Sequence, residues 1–200
     1  MTSDAANIIA LYERHAHTWD EVRSRSLFEK EWLDRFLASI AAGGSILDIG
    51  CGSGEPIAGF FVRAGYRVHG VDSSQAMIAR CKARFPQSDW RIADMRTIAL
   101  GQTFDGILAW DSFFHLTQDD QRRMFAIFRA HAAPGAALMF TSGTENGVAM
   151  GTFGGEPLYH ASLAPEEYRA LLVAQGFEVV TYVENDPTAG GHTIWIARSK

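Results

Sequence analysis

The apolar run Ser45-Ile46-Leu47-Asp48-Ile49 passes without a spacer into Gly50-Cys51-Gly52-Ser53-Gly54. A run this short and this apolar reads as a buried strand, and the next periodic stretch, from about Glu55 to Ala64, reads as a helix. Glycine reaches positive φ and lets backbone approach a ligand with no Cβ in the way. The helix that follows presents free backbone N–H groups at its start. In open parallel sheets ligands bind beyond the carboxyl ends of the strands, where strand order reverses. One strand and one turn therefore set both the fold class and the first place to look for a site.

The rest of the chain repeats the pattern. Tyr66 to Val71, Asp89 to Ile92, Phe104 to Trp110 and Ala136 to Thr141 read as further strands. Helices are expected at Ser74 to Phe85, capped by Ser73 or Ser74, and at Gln118 to Ala132, stopped by Pro134-Gly135. Alternating strands and helices imply a doubly wound α/β fold with a mostly parallel sheet and right-handed crossovers. After a helix at Ala164 to Gln175, Phe177 to Glu184 and Thr193 to Ala197 follow each other with no helix between. They are expected to close a seven-stranded sheet as an antiparallel hairpin. From Ala5 to about Ala41 the periodicity is helical, with Leu27, Trp32, Leu33, Phe36, Leu37 and Ile40 on one face. Gly143 to Ser162 is expected to be a long functional loop. The 200 residues read as one domain, with residues 1–42 a helical lid and 43–200 the core.

The glycine turn alone does not choose its ligand, because dinucleotide-binding proteins use a related pattern. A nicotinamide fingerprint needs a small residue at position 55, where this chain has Glu55. A carboxylate at a helix start repels a pyrophosphate, and Asp48 ahead of the loop also favours a cationic ligand. S-adenosylmethionine fits, carrying an ammonium and a sulfonium and no phosphate.

Asp48 to Gly54 resembles motif I of the class I S-adenosylmethionine-dependent methyltransferases of the small-molecule type, and the resemblance runs from Ser45 to about Phe140. Gly70-Val71-Asp72-Ser73-Ser74 is similar to the end of the family's second strand, which implies that Asp72 accepts from the ribose hydroxyls, with Ser73 beside it. Ala93-Asp94-Met95 resembles the adenine-recognising stretch, implying acceptance by Asp94 and ring packing by Met95. Asp94 in an Asx-turn is the competing structural reading. Phe104 to Trp110 resembles the fourth-strand motif, which places Trp110 beside the methionine part; Asp105 is expected at the surface. The implied cofactor set is Asp48, Gly50, Cys51, Gly52, Gly54, Asp72, Ser73, Asp94, Met95 and Trp110, with Tyr12 and Trp19 added from the lid. Those two come from Tyr12 to Asp20, which is similar to a lid pattern of small-molecule members. An aromatic face stabilises a sulfonium as it does other cations.

On the acceptor side, His115 follows the fourth strand in Asp111-Ser112-Phe113-Phe114-His115-Leu116, and histidine titrates near neutrality. His115, His160 and Tyr159 are the catalytic candidates; a structural role competes for His115 and is expected for His192. Met150 and Phe153 are candidate pocket residues. No ligand spacing for a metal is present, so no metal is expected. Net charge is −5 with no long Lys/Arg run, which disfavours nucleic acid. No apolar run approaches a bilayer span and no signal peptide is recognisable, so no membrane partner and a cytoplasmic location are expected. Two cysteines make no disulfide framework.

The function this implies is transfer of a methyl group from S-adenosylmethionine to a small-molecule acceptor by in-line displacement. Three other readings use the same elements. They are a nicotinamide (NAD-type) oxidoreductase, a methyltransferase for RNA or protein, and a non-catalytic S-adenosylmethionine-binding protein.

Overall fold

The structure, a computed structural model, describes residues 4–200; residues 1–3 of the expected lid lie outside the described residues. The chain runs α1 (Asp4–Val22), α2 (Lys30–Leu37), β1 (Ser45–Ile49), α3 (Ile57–Arg63), β2 (Arg67–Asp72), α4 (Gln75–Arg84), β3 (Asp89–Ile92), β4 (Phe104–Ala109), α5 (Gln118–His131), β5 (Ala132–Ser142), β6 (Gly147–Phe153), β7 (Glu156–Ser162), α6 (Pro165–Ala174), β8 (Phe177–Asp186) and β9 (His192–Ser199). Seven strands form one sheet in the order β3-β2-β1-β4-β5-β9-β8. β3 to β5 pair in parallel, whereas β9 is antiparallel to both β5 and β8. Strand order reverses between β1 and β4, which places the carboxyl ends of β1, β2 and β4 around one crevice.

Local chemistry explains the element ends. Ser74 caps α4 by accepting from Met77 N–H, and Thr117 caps α5 by accepting from Asp120 N–H. Pro165 opens α6, where a missing N–H costs nothing. The sheet buries a core on each face. One contains Phe113, Phe125, Phe128, Phe140, Tyr168 and Trp195, the other Trp32, Leu33, Phe36, Phe61 and Trp90.

Several expectations change. Gly143 to Ser162 is not a loop: β6 and β7 pair as a separate two-stranded hairpin turning at Gly154-Gly155, both at positive φ. β6 is exposed along almost its whole length, so it shows none of the alternation by which a half-buried strand announces itself. The N-terminal helical stretch breaks into two helices, with Leu27 at φ 51 in the link. α5 ends at His131, and Pro134-Gly135 fall inside β5 where its register against β4 shifts. Asp105 is no idle surface residue, because its Oδ2 accepts from both Ser45 N–H (2.8 Å) and Ser45 Oγ (2.9 Å), tying β4 to the start of β1.

Candidate active site

The glycine loop is shaped by its contacts. Gly50 sits at φ 76, and a Cβ there would lie 2.3 Å from the Cβ of Ser112. Ser112 holds that position by donating to Ile49 O at 2.7 Å. Gly52, at φ 54, donates its N–H to Asp72 Oδ2 at 2.9 Å, while Asp72 Oδ1 accepts from Ser74 N–H at 2.8 Å. Asp72 thus braces the loop and the start of α4 at once. Burial pushes its carboxyl up, against the backbone donors that hold it down. Asp48, at the end of β1, is 4% exposed and is pushed up to about 7 by burial and by the nearby Asp72 charge.

A cavity of about 340 Å³ lies above this loop. Its wall includes Asp48, Gly50, Cys51, Gly52, Asp72, Ser73, Asp94, Met95, Trp110, Tyr12, Trp19 and His115. Gly54 is apart from the rest; it packs on Cys81 and Phe85 of α4 and is not on the wall. Asp94 takes Arg96 N–H on Oδ1 in an Asx-turn and also binds the Arg96 guanidinium, which holds it below the usual carboxylate range.

α1 forms the roof and is fastened by two carboxylates that sequence reasoning passed over. Glu13 accepts from Ser74 Oγ (2.6 Å) and Ala76 N–H (3.1 Å), and Asp20 pairs with Arg84. Both reach the α4 side, a tertiary contact that leaves no mark in the sequence. The tip of the β6–β7 hairpin closes the roof from above. Phe153 stacks on Tyr12 (6.0 Å between centroids) and meets Trp19 edge-on at 5.5 Å, while Glu156 binds Arg14 and His15.

His115 lies under this roof. Its Nδ1 faces the carbonyl of Tyr159 at 2.8 Å and must donate, which leaves Nε2 to accept from the Tyr12 hydroxyl at 2.9 Å. Burial pushes His115 down to about 4, so at neutral pH the ring is uncharged with both nitrogens engaged. Tyr159 contributes that carbonyl and not its side chain, and neither Tyr159 nor His160 reaches the first cavity. His160 stands behind His115, 4.8 Å between ring centroids, on the wall of a second cavity of about 400 Å³. Three buried polar atoms of the wall lack a hydrogen-bond partner: Trp110 Nε1, Ser53 Oγ and Asp111 Oδ1.

Residues 46–135 match the model of the Methyltransferase domain family. The sheet order above is that of the Rossmann-like methyltransferase fold. It is 37% identical over 98 residues to the dTDP-4-amino-2,3,4,6-tetradeoxy-D-glucose N,N-dimethyltransferase of Saccharopolyspora spinosa, a match over 48% of this chain and 39% of that protein. The chain spans about half or less of the length of the curated relatives it matches. Among solved structures it resembles S-adenosylmethionine-bound CalS10, an amino pentose methyltransferase from Micromonospora echinaspora (TM-score 0.72, 23% identity, 94% of this chain and 96% of that one). It also resembles the 1,6-didemethyltoxoflavin-N1-methyltransferase of Burkholderia thailandensis with S-adenosylhomocysteine bound (TM-score 0.78, 19% identity, 100% and 92%). At those identities the shared property is the fold. Among the described residues, no helix is long and apolar enough to cross a membrane.

Proposed function

We propose that this chain binds S-adenosylmethionine in the first cavity and moves its methyl group to a small-molecule acceptor. The observation that carries the reading is the charge of the wall. Asp48 is buried and Asp72 half-buried beside a glycine turn where a Cβ at Gly50 would collide with Ser112. The two arginines on the wall are both committed, Arg23 to Glu29 and Arg96 to Asp94. Such a wall suits a ligand with a cationic end and hydroxyls, and offers a pyrophosphate no free cation. The unpartnered Trp110 Nε1 and Ser53 Oγ are donors available to such a ligand.

When bound, the cofactor supplies an activated methyl whose departing sulfur leaves as a neutral thioether. The chain contributes position and dryness. Gly50 and Gly52 admit the ligand against backbone, Asp72 meets the ribose hydroxyls with its remaining lone pairs, and Met95 covers the adenine. In this reading residues 1–42 act as the lid, with Tyr12, Trp19 and Phe153 excluding water above the reacting atoms. His115 fixes the Tyr12 hydroxyl through Nε2. As an uncharged ring with both nitrogens engaged, it is better suited to orienting the roof than to storing a proton. Calorimetric titration tests the proposal: one-to-one binding of S-adenosylmethionine and S-adenosylhomocysteine is expected, with no heat from NAD. Tight NAD binding without S-adenosylhomocysteine binding overturns it.

A further inference from the structure

Six carboxylates stand on the wall of the first cavity: Asp48, Glu55, Asp72, Asp94, Asp111 and Asp120. Five are held. Glu55 meets Arg63, Asp94 meets Arg96 and Asp120 meets Arg123. Asp111 faces His192 Nε2 at 2.6 Å, and Asp72 takes the N–H groups of Gly52 and Ser74. Among the described residues, Asp48 alone of the six accepts no hydrogen bond and meets no cation. It is also the one that is buried, at 4% exposure, where the other five are half-buried.

The surroundings of Asp48 offer its charge nothing. β1 and β2 pair with Asp48 opposite Gly70, so Asp72, two residues on, projects from the same face of the sheet. An ionised Asp48 would lie beside a second carboxylate with no donor of its own, and a buried charge so placed is costly. The backbone donors at Asp72 favour its ionised form, so of the two the proton belongs on Asp48. Burial and the Asp72 charge push Asp48 up to about 7. No free cation comes from the elements around it. From α1, Arg23 is committed to Glu29 and the Tyr12 hydroxyl to His115. On the loop, burial keeps Cys51 a thiol. In the turn after β4, Asp111 faces His192, and His115, pushed down to about 4, is uncharged at neutral pH.

We propose that ligand binding in the first cavity is proton-coupled at Asp48: its carboxyl gives up a proton to solvent as the ammonium of the ligand's methionine part takes that proton's place. This rests on the reading of the cavity as the S-adenosylmethionine site. A neutral carboxyl and an ammonium come together; a carboxylate–ammonium pair and one released proton result. The ammonium brings N–H donors to a carboxylate that has none, and its charge also offsets that of Asp72. Below pH 7 the empty site holds the proton and binding must expel it. Affinity therefore climbs as pH rises and levels off above 7, where no proton remains to be expelled. The ribose end takes no part, because Asp72 already has its donors.

The test is calorimetric and uses the full chain with two ligands. S-adenosylhomocysteine keeps the ammonium, whereas 5′-methylthioadenosine keeps the adenosyl group and the thioether but lacks the methionine part. Each is titrated at pH 6 in phosphate and in Bis-Tris, whose different heats of ionisation make the protons released countable. S-adenosylhomocysteine should release about one proton and bind at least about tenfold more tightly at pH 7 than at pH 5. Both values lie below the ordinary α-amino range of about 7.7–8.0, so the ligand stays an ammonium throughout. Methylthioadenosine should release at most about a quarter as many protons. Asp48→Asn, which keeps the shape and cannot titrate, should abolish the release and hold the affinity within about threefold over the same pH range. No release with S-adenosylhomocysteine, equal release with the two ligands, or a release that survives in D48N overturns the proposal. Equal release would assign the titrating group to the adenosyl side, at Asp72. If D48N does not fold, the comparison of the two ligands on the wild-type chain decides alone. Failure of the wild-type chain to bind S-adenosylhomocysteine brings down the function proposed above as well, and is seen before any proton is counted.

Discussion

At His115, burial dominates the chemistry of the residue. The ordinary histidine value of 6.5 falls to about 4 in the folded chain. Between those values the unfolded chain binds a proton that the folded chain refuses, so this residue lowers stability as pH falls from 6.5 to 4, then levels off. The full drop is about 3 kcal/mol. Asp48 works in the opposite sense. Its ordinary value of 3.8 rises to about 7, so the stability it contributes below pH 3.8 is lost as pH rises to 7. The two slopes oppose each other across pH 4 to 6.5, and the wild-type profile hides both. Comparison with His115→Gln separates them. The stability of wild type relative to H115Q should fall by about 3 kcal/mol from pH 6.5 to pH 4, measured by urea unfolding at each pH. A pH-independent difference would mean that His115 is not held neutral by burial.

Among the elements, the β6–β7 hairpin buries little of itself and touches the site only through the roof. Its two strands bury little, but Phe153 at its tip joins Tyr12 and Trp19 in the roof. Phe153→Ala should therefore separate ligand retention from folding. S-adenosylhomocysteine should dissociate at least tenfold faster, read by stopped-flow tryptophan fluorescence. Unfolding free energy should change by less than about 1 kcal/mol, as for substitutions outside the core. An unchanged dissociation rate would show that the roof is closed by α1 alone. The helices of the sheet layers are legible from their apolar periodicity, and the parallel strands from short apolar runs. The hairpin is not, since β6 is exposed, β7 is mostly half-buried, and their pairing is satisfied by each other. Phe153, expected with Met150, Tyr159 and His160 to line an acceptor pocket, packs instead on Tyr12 and Trp19 of α1.

In the molecule as a whole, site and core are coupled through the turn after β4. Phe113 is fully buried and packs on Phe125, Phe128, Phe140 and Tyr168, with centroids 5.4 to 6.1 Å apart. Two residues later comes His115, and one residue earlier Ser112 rests against Gly50. Phe113→Ala should cost about 3–5 kcal/mol in urea unfolding and, unlike F153A, should weaken S-adenosylhomocysteine binding in step with stability. Full cofactor affinity in a destabilised F113A would show that the turn keeps its shape without its aromatic anchor.

The sequence by itself determined the α/β class, the strand that leads into the glycine turn, and most of the residues gathered on the wall of the first cavity. Each of these depends on local order along the chain: apolar periodicity, glycine at positive φ, a carboxylate at a strand end. Asp48, Asp72 and Trp110 reached the cavity wall because strand ends in a parallel sheet converge wherever their sequence places them. Only the tertiary structure decided the roof and the partners of His115 and Asp111. Glu13 meets α4 across 61 residues, His115 takes its tautomer from a carbonyl 44 residues away, and Asp111 finds His192 at the far end of the chain. A proton's place depends on burial and on which donor stands opposite, and neither is written in the order of residues near it.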